Sequence, residues 1–275
     1  MNHFTVLGAG GFVGSHLVNY LKKHQMNYTA PGRDDLSIYS RHLGHVIYCI
    51  GLTADFRERP FDTVEAHVCL LKEILSECSF DSFLYLSSTR IYSGQKRTCE
   101  QADLVVNPLN PSDLYNISKL MGESICFSKQ SPTVRVARIS NVIGNDFNSN
   151  NFINSLIKDA VEKKYILLNT TMESEKDYID IQDVVKLLPE ISIGGKHRIY
   201  NVASGINTTN VFIINKIKQV TGCLVEVAHD PVTRIDISID IQRLQNEFLY
   251  SPTNLDNTIE TLTNSYISKV RGLIT

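Results

Sequence analysis

The sequence predicts an α/β fold in which a parallel sheet is covered by helices on both faces. In its first half, short apolar segments that favour strands alternate with longer segments of helical spacing. Strands that alternate with helices pair in parallel, and the intervening helices cover the two faces. A glycine-rich turn after the first strand supports this prediction, because it joins a strand directly to a helix. The 275 residues suffice for one large domain, or for one core with a smaller appendage.

The first predicted strand is the apolar run 4–7, and the helix after the turn carries Leu17, Val18 and Leu21 on one face. Glycine permits backbone angles that a side chain forbids, and it lets the main chain approach a pyrophosphate. The charge of that pyrophosphate would lie at the N–H groups of the helix N-terminus. We expect a dinucleotide-binding turn here, with a purely structural turn as the alternative. The residues expected at the cofactor are Gly8, Gly10, Gly11, Phe12, Val13 and Gly14.

The second predicted strand, 27–30, ends at Arg33, where the cofactor type is decided. In a dinucleotide fold an acid at this place accepts the ribose 2′-hydroxyl, whereas an arginine accommodates a 2′-phosphate. Arg33 therefore favours NADP over NAD. The alternative is a solvated loop arginine whose charge is partly offset by Asp34 and Asp35. Asp35 and Leu36 are also expected along the adenine edge.

The remaining elements follow from apolar spacing and turn residues. Too few residues separate Arg33 from the next strand for a full helix, so this half of the fold is expected to be abbreviated. A polar, turn-rich segment covers 144–151. Further strands are predicted at 46–51, 83–86, 134–139 and 198–202, and helices at 63–75, 113–124, 152–163 and 209–221.

Composition and charge exclude several classes of protein. A net charge of −2 offers no general attraction to nucleic acid or to an anionic membrane surface. No apolar run approaches the roughly 20 residues that cross a bilayer. Because the first strand is predicted almost at Met1, we expect no signal peptide. The six cysteines and eight histidines show no ligand or disulfide spacing, so we expect a cytoplasmic protein with reduced thiols and no metal.

Three residues carry the candidate chemistry. Tyr115 and Lys119 are four residues apart, so on a helix they lie on one face. A nearby cation would lower the tyrosine pKa from about 10 toward working pH, as a proton-transferring tyrosine requires. Ser88 ends a predicted strand, where open parallel sheets bind ligands, and its hydroxyl can hold a substrate oxygen.

In this order, the motifs resemble the extended branch of the short-chain dehydrogenase/reductase superfamily, the NAD(P)-dependent epimerase/dehydratase family that acts on nucleotide sugars. Gly8, Gly11 and Gly14 match its glycine turn, and Ser88 lies four residues before Tyr92, as its catalytic serine does. The resemblance covers nearly the whole chain. Later segments that are similar to family motifs are 115–123 with Tyr115, Lys119 and Glu123, 138–144 with Arg138 and Asn141, 176–184 with Tyr178, and 200–205 with Asn201.

The resemblance implies how the chain is divided and what it binds. It implies a Rossmann-like doubly wound core over 1–140, to which 176–204 returns, and a smaller substrate-binding cap from 141–175 and 205–275. It implies a nucleotide-sugar substrate and a possible homodimer built on the two helices at 63–75 and 115–124. The residues implied at the substrate are Ser88, Thr89, Asn141, Tyr178 and Arg234, and those added to the cofactor site are Cys49, Gly51, His67, Tyr115 and Lys119.

Departures from the family pattern narrow the expected reaction. Dehydratases carry an Asp-Glu pair where this chain has Thr89 and Arg90, so elimination of water is disfavoured. GDP-fucose synthase-like members use a cysteine where Arg90 stands, which disfavours epimerisation beside a ketone. His67 stands where the family usually has asparagine. It either replaces that residue or is an ordinary surface histidine.

The expected reaction is reduction of a keto group on a nucleotide-linked sugar by NADPH. Tyr115 would protonate the new alkoxide, Ser88 would hold that oxygen, and Lys119 would tune Tyr115 and bind the nicotinamide ribose. One alternative is a nucleotide-sugar 4-epimerase with tightly bound NAD, against which Arg33 argues. An alternative of another class is a dinucleotide-binding regulator without turnover.

Overall fold

A parallel sheet forms the centre of the protein. The computed structural model describes residues 2–53, 55–147 and 151–272. The strands of this sheet are β1 (His3–Leu7), β2 (Asn27–Thr29), β3 (His45–Tyr48), β4 (Ser82–Ser88), β5 (Val134–Ile139) and β9 (Ile199–Val202). Their spatial order is β2-β1-β3-β4-β5-β9, and every neighbouring pair is parallel. The predicted α/β class is thereby confirmed, and the order reverses next to β1, where such sheets bind ligands.

Helices cover both faces of the sheet, as alternating side chains along each strand require. Leu84 of β4 points into one apolar core and Tyr85 into the other. The first core is closed by α1 and α6, and the second by α3 and α4. The helices are α1 (Phe12–Lys23), α2 (Pro60–Val64), α3 (Leu70–Glu77), α4 (Leu114–Ser128), α5 (Phe152–Lys158), α6 (Ile181–Gly194), α7 (Asn210–Thr221), α8 (Gln242–Phe248) and α9 (Leu255–Val270).

The segment between β2 and β4 departs from a regular pattern in two places. A single 3₁₀ turn, Leu36–Tyr39, stands between β2 and β3, which confirms the abbreviated half. The helix predicted at 63–75 begins earlier, at Pro60, a residue that suits the first helical turn. It contains a π-helical turn, Glu65–Cys69, between α2 and α3. Such wide turns are frequent at functional sites, and this one contains His67.

The rest of the chain forms smaller sheets beside the main one. β6 (Asn141–Ile143), β8 (Glu175–Asp180) and β10 (Asn207–Thr209) form a three-stranded sheet. β7 (Tyr165–Thr170) and β11 (Leu224–Val232) pair in parallel. Strands β6, β7, β8 and β11 share an apolar core with α5, α7 and α9.

Part of the predicted turn-rich segment 144–151, namely 148–150, lies outside the described residues. The expected boundary at residue 140 stays a prediction. Among the described residues, no helix has the length and apolar character needed to cross a membrane.

Candidate active site

The glycine turn leaves the N-terminus of α1 open to an anion. Gly8 has a φ of +84°, a conformation that L side chains rarely adopt. A side chain at Gly14 would collide with the carbonyl oxygen of Gly8, whereas Gly10 and Gly11 are exposed. Gly11 caps the helix without a side-chain hydrogen bond, and the first turn contains no acidic residue. The turn therefore fits a bound diphosphate, which these N–H groups and the helix dipole would stabilise.

The residues after β2 are arranged so that Asp35 does not neutralise Arg33. The carboxylate of Asp35 accepts hydrogen bonds from Ser37 and contacts Arg41 at 3.4 Å. Arg33 is exposed and takes part in no ion pair within the described ranges. Leu36 is 75% exposed, so an apolar side chain lies open beside these charges. The local charge pattern suits an added phosphate at Arg33.

Ser88 and Tyr115 meet at the carboxyl end of β4. The hydroxyls of Ser88 and of Thr53, which follows β3, lie close enough to the Tyr115 hydroxyl to act on its pKa. Tyr115 is 3% exposed, and its ring lies 5.3 Å from that of Phe56. Burial raises the pKa of Tyr115, while the two hydroxyls and the charge of Arg90 act in the opposite direction. The expected lowering of this pKa was wrong, because burial outweighs the partners.

Lys119 is buried beside the same ring, and its predicted role toward Tyr115 stays a prediction. Its Nζ donates a hydrogen bond of 2.9 Å to the carbonyl oxygen of Leu86 and lies 5.9 Å from the ring centre of Tyr115. Burial lowers the pKa of Lys119 to about 7, against the opposing effects of Glu123 and Cys49. Burial also raises the pKa of the Cys49 thiol to about 12. The cations near Tyr115 are therefore Arg90 and a lysine that is easily deprotonated.

His67 is a fully buried member of the site, so the surface-histidine alternative is wrong. It is 0% exposed, and burial together with the charge of Lys119 lowers its pKa to about 2. Its Nδ1 lies 2.9 Å from the Ser118 hydroxyl, which itself donates to the carbonyl oxygen of Tyr115. Its Nε2 accepts a bond of 3.3 Å from the Leu52 N–H. The neutral ring therefore carries its proton on Nδ1 and links the loop after β3 to α4.

Gly51 explains how these groups come so close. A Cβ at Gly51 would lie 3.0 Å from Nε2 of His67 and 3.3 Å from Nζ of Lys119. A side chain there would push apart the two groups that the π-helical turn and α4 bring together. Among the predicted cofactor residues, the structure thus gathers Cys49, Gly51, His67, Tyr115 and Lys119.

The predicted substrate residues are less uniform. Thr89 is buried and begins the 3₁₀ turn after Ser88. The Asn141 side chain donates a hydrogen bond of 2.8 Å to the carbonyl oxygen of Asp177. Tyr178 is 5% exposed and belongs to the apolar core that contains α5, α7 and α9. Arg234 is exposed and close enough to Arg90 to lower its pKa. Only Ser88 and Arg234 therefore have a demonstrated electrostatic or hydrogen-bond link to the Tyr115–Arg90 cluster.

Several motif residues are structural. Glu123 and Arg138 form a buried ion pair of 2.7 Å between α4 and β5, and Ser87 donates to the same carboxylate. Arg138 donates a hydrogen bond of 2.6 Å to the Tyr92 hydroxyl. That hydroxyl in turn donates one of 2.9 Å to the side-chain oxygen of Asn201 on β9. This network ties the site helix to three strands of the sheet. In the described part of the chain, no cluster of three or more His, Cys, Asp or Glu residues could hold a metal.

Sequence reasoning missed Thr53 and Phe56, which contact Tyr115. Both lie in the loop after β3, where no periodicity marks inward-pointing residues. The available signal was position, because a hydroxyl that follows a parallel strand lies at the ligand-binding edge.

The chain matches the family model of the NAD dependent epimerase/dehydratase family over residues 4–203, and it belongs to that family. A Bacillus subtilis (strain 168) protein described as an uncharacterized UDP-glucose epimerase, YtcB, is 24% identical over 264 residues. That match covers 79% of this chain and 81% of the relative.

Two solved structures share the fold. RMD from Pseudomonas aeruginosa complexed with NADPH is 22% identical with a TM-score of 0.78, covering 98% of this chain and 100% of that one. A UDP-glucuronic acid 4-epimerase from Bacillus cereus in complex with NAD is 18% identical with a TM-score of 0.76, covering 99% of each chain.

Proposed function

We propose that this protein reduces a keto group on a nucleotide-linked sugar, with NADPH as the reductant. The observation that carries the proposal is the buried Tyr115 phenol, which lies beside the hydroxyls of Ser88 and Thr53 at the carboxyl end of the sheet. Because burial keeps its pKa above the usual value, Tyr115 carries a proton at neutral pH. A protonated phenol is the form that can donate to an alkoxide as it develops.

The side chains divide the work of the proposed reaction. Ser88 and Thr53 hold the substrate oxygen against Tyr115, which donates the proton to it. Lys119 lies beside the expected nicotinamide ribose, and His67 fixes the backbone of α4 through Ser118. A bound reduced nicotinamide supplies the hydride. Burial of Tyr115, Lys119 and His67 keeps water from these three side chains and strengthens their polar interactions.

The cofactor assignment is supported by both ends of the proposed binding site. The glycine turn and the N-terminus of α1 suit the diphosphate. Arg33 suits the 2′-phosphate of NADP, since Asp35 is engaged by Arg41. Both NADPH and NAD occur with similar folds, in the P. aeruginosa and B. cereus proteins respectively.

The nucleotide-sugar substrate is supported by family membership and by the descriptions of relatives. The B. subtilis relative is described as a UDP-glucose epimerase and the B. cereus structure as a UDP-glucuronic acid epimerase. Arg234 would contact the substrate diphosphate, and Asn141 and Tyr178 would border the sugar nucleotide.

The proposal is tested by incubating the purified protein with NADPH and a panel of nucleotide-linked keto sugars. Tyr115→Phe should lower turnover about 10²- to 10⁴-fold, because it removes the proton donor, while NADPH affinity stays unchanged. Tyr39→Phe is the matched control, since its hydroxyl lies at the surface on Glu73. Equal turnover by Tyr115→Phe and wild type would reject the assignment. Absence of turnover over the whole panel would favour the regulator.

A second candidate, a nucleotide-sugar 4-epimerase, is favoured by the description of the B. subtilis relative. An epimerase would retain its dinucleotide and convert the sugar without net consumption of NADPH. Native mass spectrometry of protein purified without added ligand separates the two. A retained dinucleotide favours the epimerase, and an empty site favours the reductase, which exchanges its cofactor at each turnover.

A further inference from the structure

Arg90 lies beside Tyr115, and one of its side-chain donors is buried without a partner among the described residues. Its guanidinium lies 5.0 Å from the ring centre of Phe56 and 5.7 Å from that of Tyr115. Its backbone N–H donates a hydrogen bond of 3.2 Å to the Ser88 hydroxyl oxygen. This bond connects its main chain to the proposed reaction centre. Its Nε is buried and has no hydrogen-bond partner in the described residues. A buried donor without a partner is costly, and it calls for an acceptor supplied from outside the chain.

The surroundings of Arg90 are rich in positive charge. Arg57 and Arg234 act with burial to lower the pKa of Arg90, and Asp113 opposes them. Burial, Arg234 and Arg90 likewise lower the pKa of Lys176, against Asp236. None of the four cations has a carboxylate within 4.0 Å among the described residues. An anion that entered here would relieve the repulsion between these side chains.

We propose that Arg90 binds a carboxylate on the sugar ring of the substrate, so that the preferred substrates are nucleotide-linked hexuronates. The inference rests on the proposed function and deepens it. The guanidinium fork matches a carboxylate through two parallel N–H donors, and the unused Nε is one of the donors available for such a pair.

The place of Arg90 in the site indicates that the anion it binds is not the substrate diphosphate. Arg90 lies against the ring of the proton donor, and its main chain is bonded to Ser88. A group bound there belongs to the reacting end of the sugar. Arg234 is exposed and close enough to Lys176 to lower its pKa, so this pair is available to the diphosphate.

The test is calorimetric binding, in the presence of oxidised cofactor, of matched pairs such as UDP-glucose and UDP-glucuronate, repeated with the corresponding dTDP and GDP sugars. For the matching nucleotide, the wild type should bind the hexuronate about 10- to 100-fold more tightly than the hexose. Arg90→Gln should reduce this preference to within about threefold, because the amide cannot pair with a carboxylate as an ion. Arg90→Lys should keep part of it, since the charge stays but the planar fork is lost.

Arg57→Gln is the matched control, because this exposed arginine lies 4.5 Å from the same Phe56 ring and bonds to Ser112. It should keep most of the preference for the hexuronate. The nucleoside diphosphate alone is titrated as a further probe. If Arg90→Gln weakens its binding as much as that of the hexuronate, the guanidinium serves the diphosphate and the inference is overturned.

The remaining outcomes separate this inference from the proposed function. If hexose and hexuronate bind equally to the wild type, the carboxylate assignment fails while a nucleotide-sugar site survives. If no nucleotide sugar binds with any of the nucleotides, the proposed function fails and the inference with it.

Discussion

Replacement of Lys119 by methionine should stabilise the cofactor-free protein while it removes a group proposed for catalysis. Lys119 is 5% exposed, and burial lowers its pKa from 10.5 to about 7. A change of one in a pKa corresponds to about 1.36 kcal/mol. The lowered pKa of Lys119 therefore destabilises the folded protein by roughly 5 kcal/mol when the lysine is charged. Methionine has a similar length and no charge. Loss of the hydrogen bond to Leu86 opposes this effect by about 1–3 kcal/mol. The free energy of unfolding of the variant near pH 7 should therefore exceed that of wild type by about 2–4 kcal/mol.

The sign of the pH dependence distinguishes this explanation from better packing. Between about pH 7 and 10.5 the unfolded chain binds a proton at Lys119 and the folded chain does not. Wild-type stability therefore rises with pH in that window, by up to about 1.4 kcal/mol per unit from this group. The methionine variant lacks this titration. Its advantage should be full at and below about pH 7 and should shrink as the pH rises toward 10.

Urea unfolding followed by circular dichroism, at intervals from pH 6.5 to 9.5, measures both quantities. Lys129→Met is the matched control, because Lys129 lies exposed at the end of the same helix and should show no such pH-dependent difference. A Lys119→Met protein that is less stable than wild type at pH 7 would refute the reasoning. So would a stability difference that does not change with pH.

Two further substitutions test the structural network and the cofactor end of the site. Arg138→Met should destabilise the protein by about 3–5 kcal/mol in urea unfolding, since it leaves Glu123 buried without its cation. Arg59→Met is the control, because it breaks an ion pair of 2.8 Å with Asp62 in which the two side chains are 51% and 57% exposed. It should leave the urea midpoint of unfolding unchanged, and equal effects of the two substitutions would contradict the role of burial. Arg33→Ser should weaken NADPH binding about 10- to 100-fold and leave NADH binding unchanged, as measured by fluorescence titration; parallel losses would argue against a 2′-phosphate contact.

The sheet could be predicted from the sequence because buried strands are short apolar runs between turn residues. The strand at 134–139 has the predicted bounds, and the shortened connection after β2 follows from residue count alone. The helix at 63–75 is the instructive exception. Its apolar spacing puts Val64, Val68, Leu71 and Leu75 on one face. Leu71 and Leu75 are indeed buried, whereas Val64 and Val68 are half-buried and Ala66 and His67 are buried instead. The π-helical turn rotates the buried face, and apolar spacing does not reveal one extra residue in a turn.

The site was predictable where motif order implied convergence and unpredictable where burial decides the chemistry. The proximity of the Ser88 and Tyr115 hydroxyls joins two segments that the motifs placed at one edge of the sheet. The direction of the pKa shift at Tyr115 was missed because the spacing to Lys119 says nothing about how deeply either group lies. Arg90 was noticed only as the residue that replaces an acid or a cysteine of the family pattern. Its unused Nε depends on the positions of Phe56 and Tyr115, which the sequence does not fix.

Burial sets the protonation of the whole site in one direction. It favours the neutral forms of Tyr115, His67 and Lys119, so Arg90 is the group closest to Tyr115 that keeps a fixed positive charge. An anionic ligand in the cleft would favour the charged form of Lys119, whose pKa of about 7 lies within reach of such a field. Binding of an anion and protonation of Lys119 therefore favour each other. Burial of positively charged groups destabilises the protein without ligand, and binding of an anionic ligand offsets part of that destabilisation.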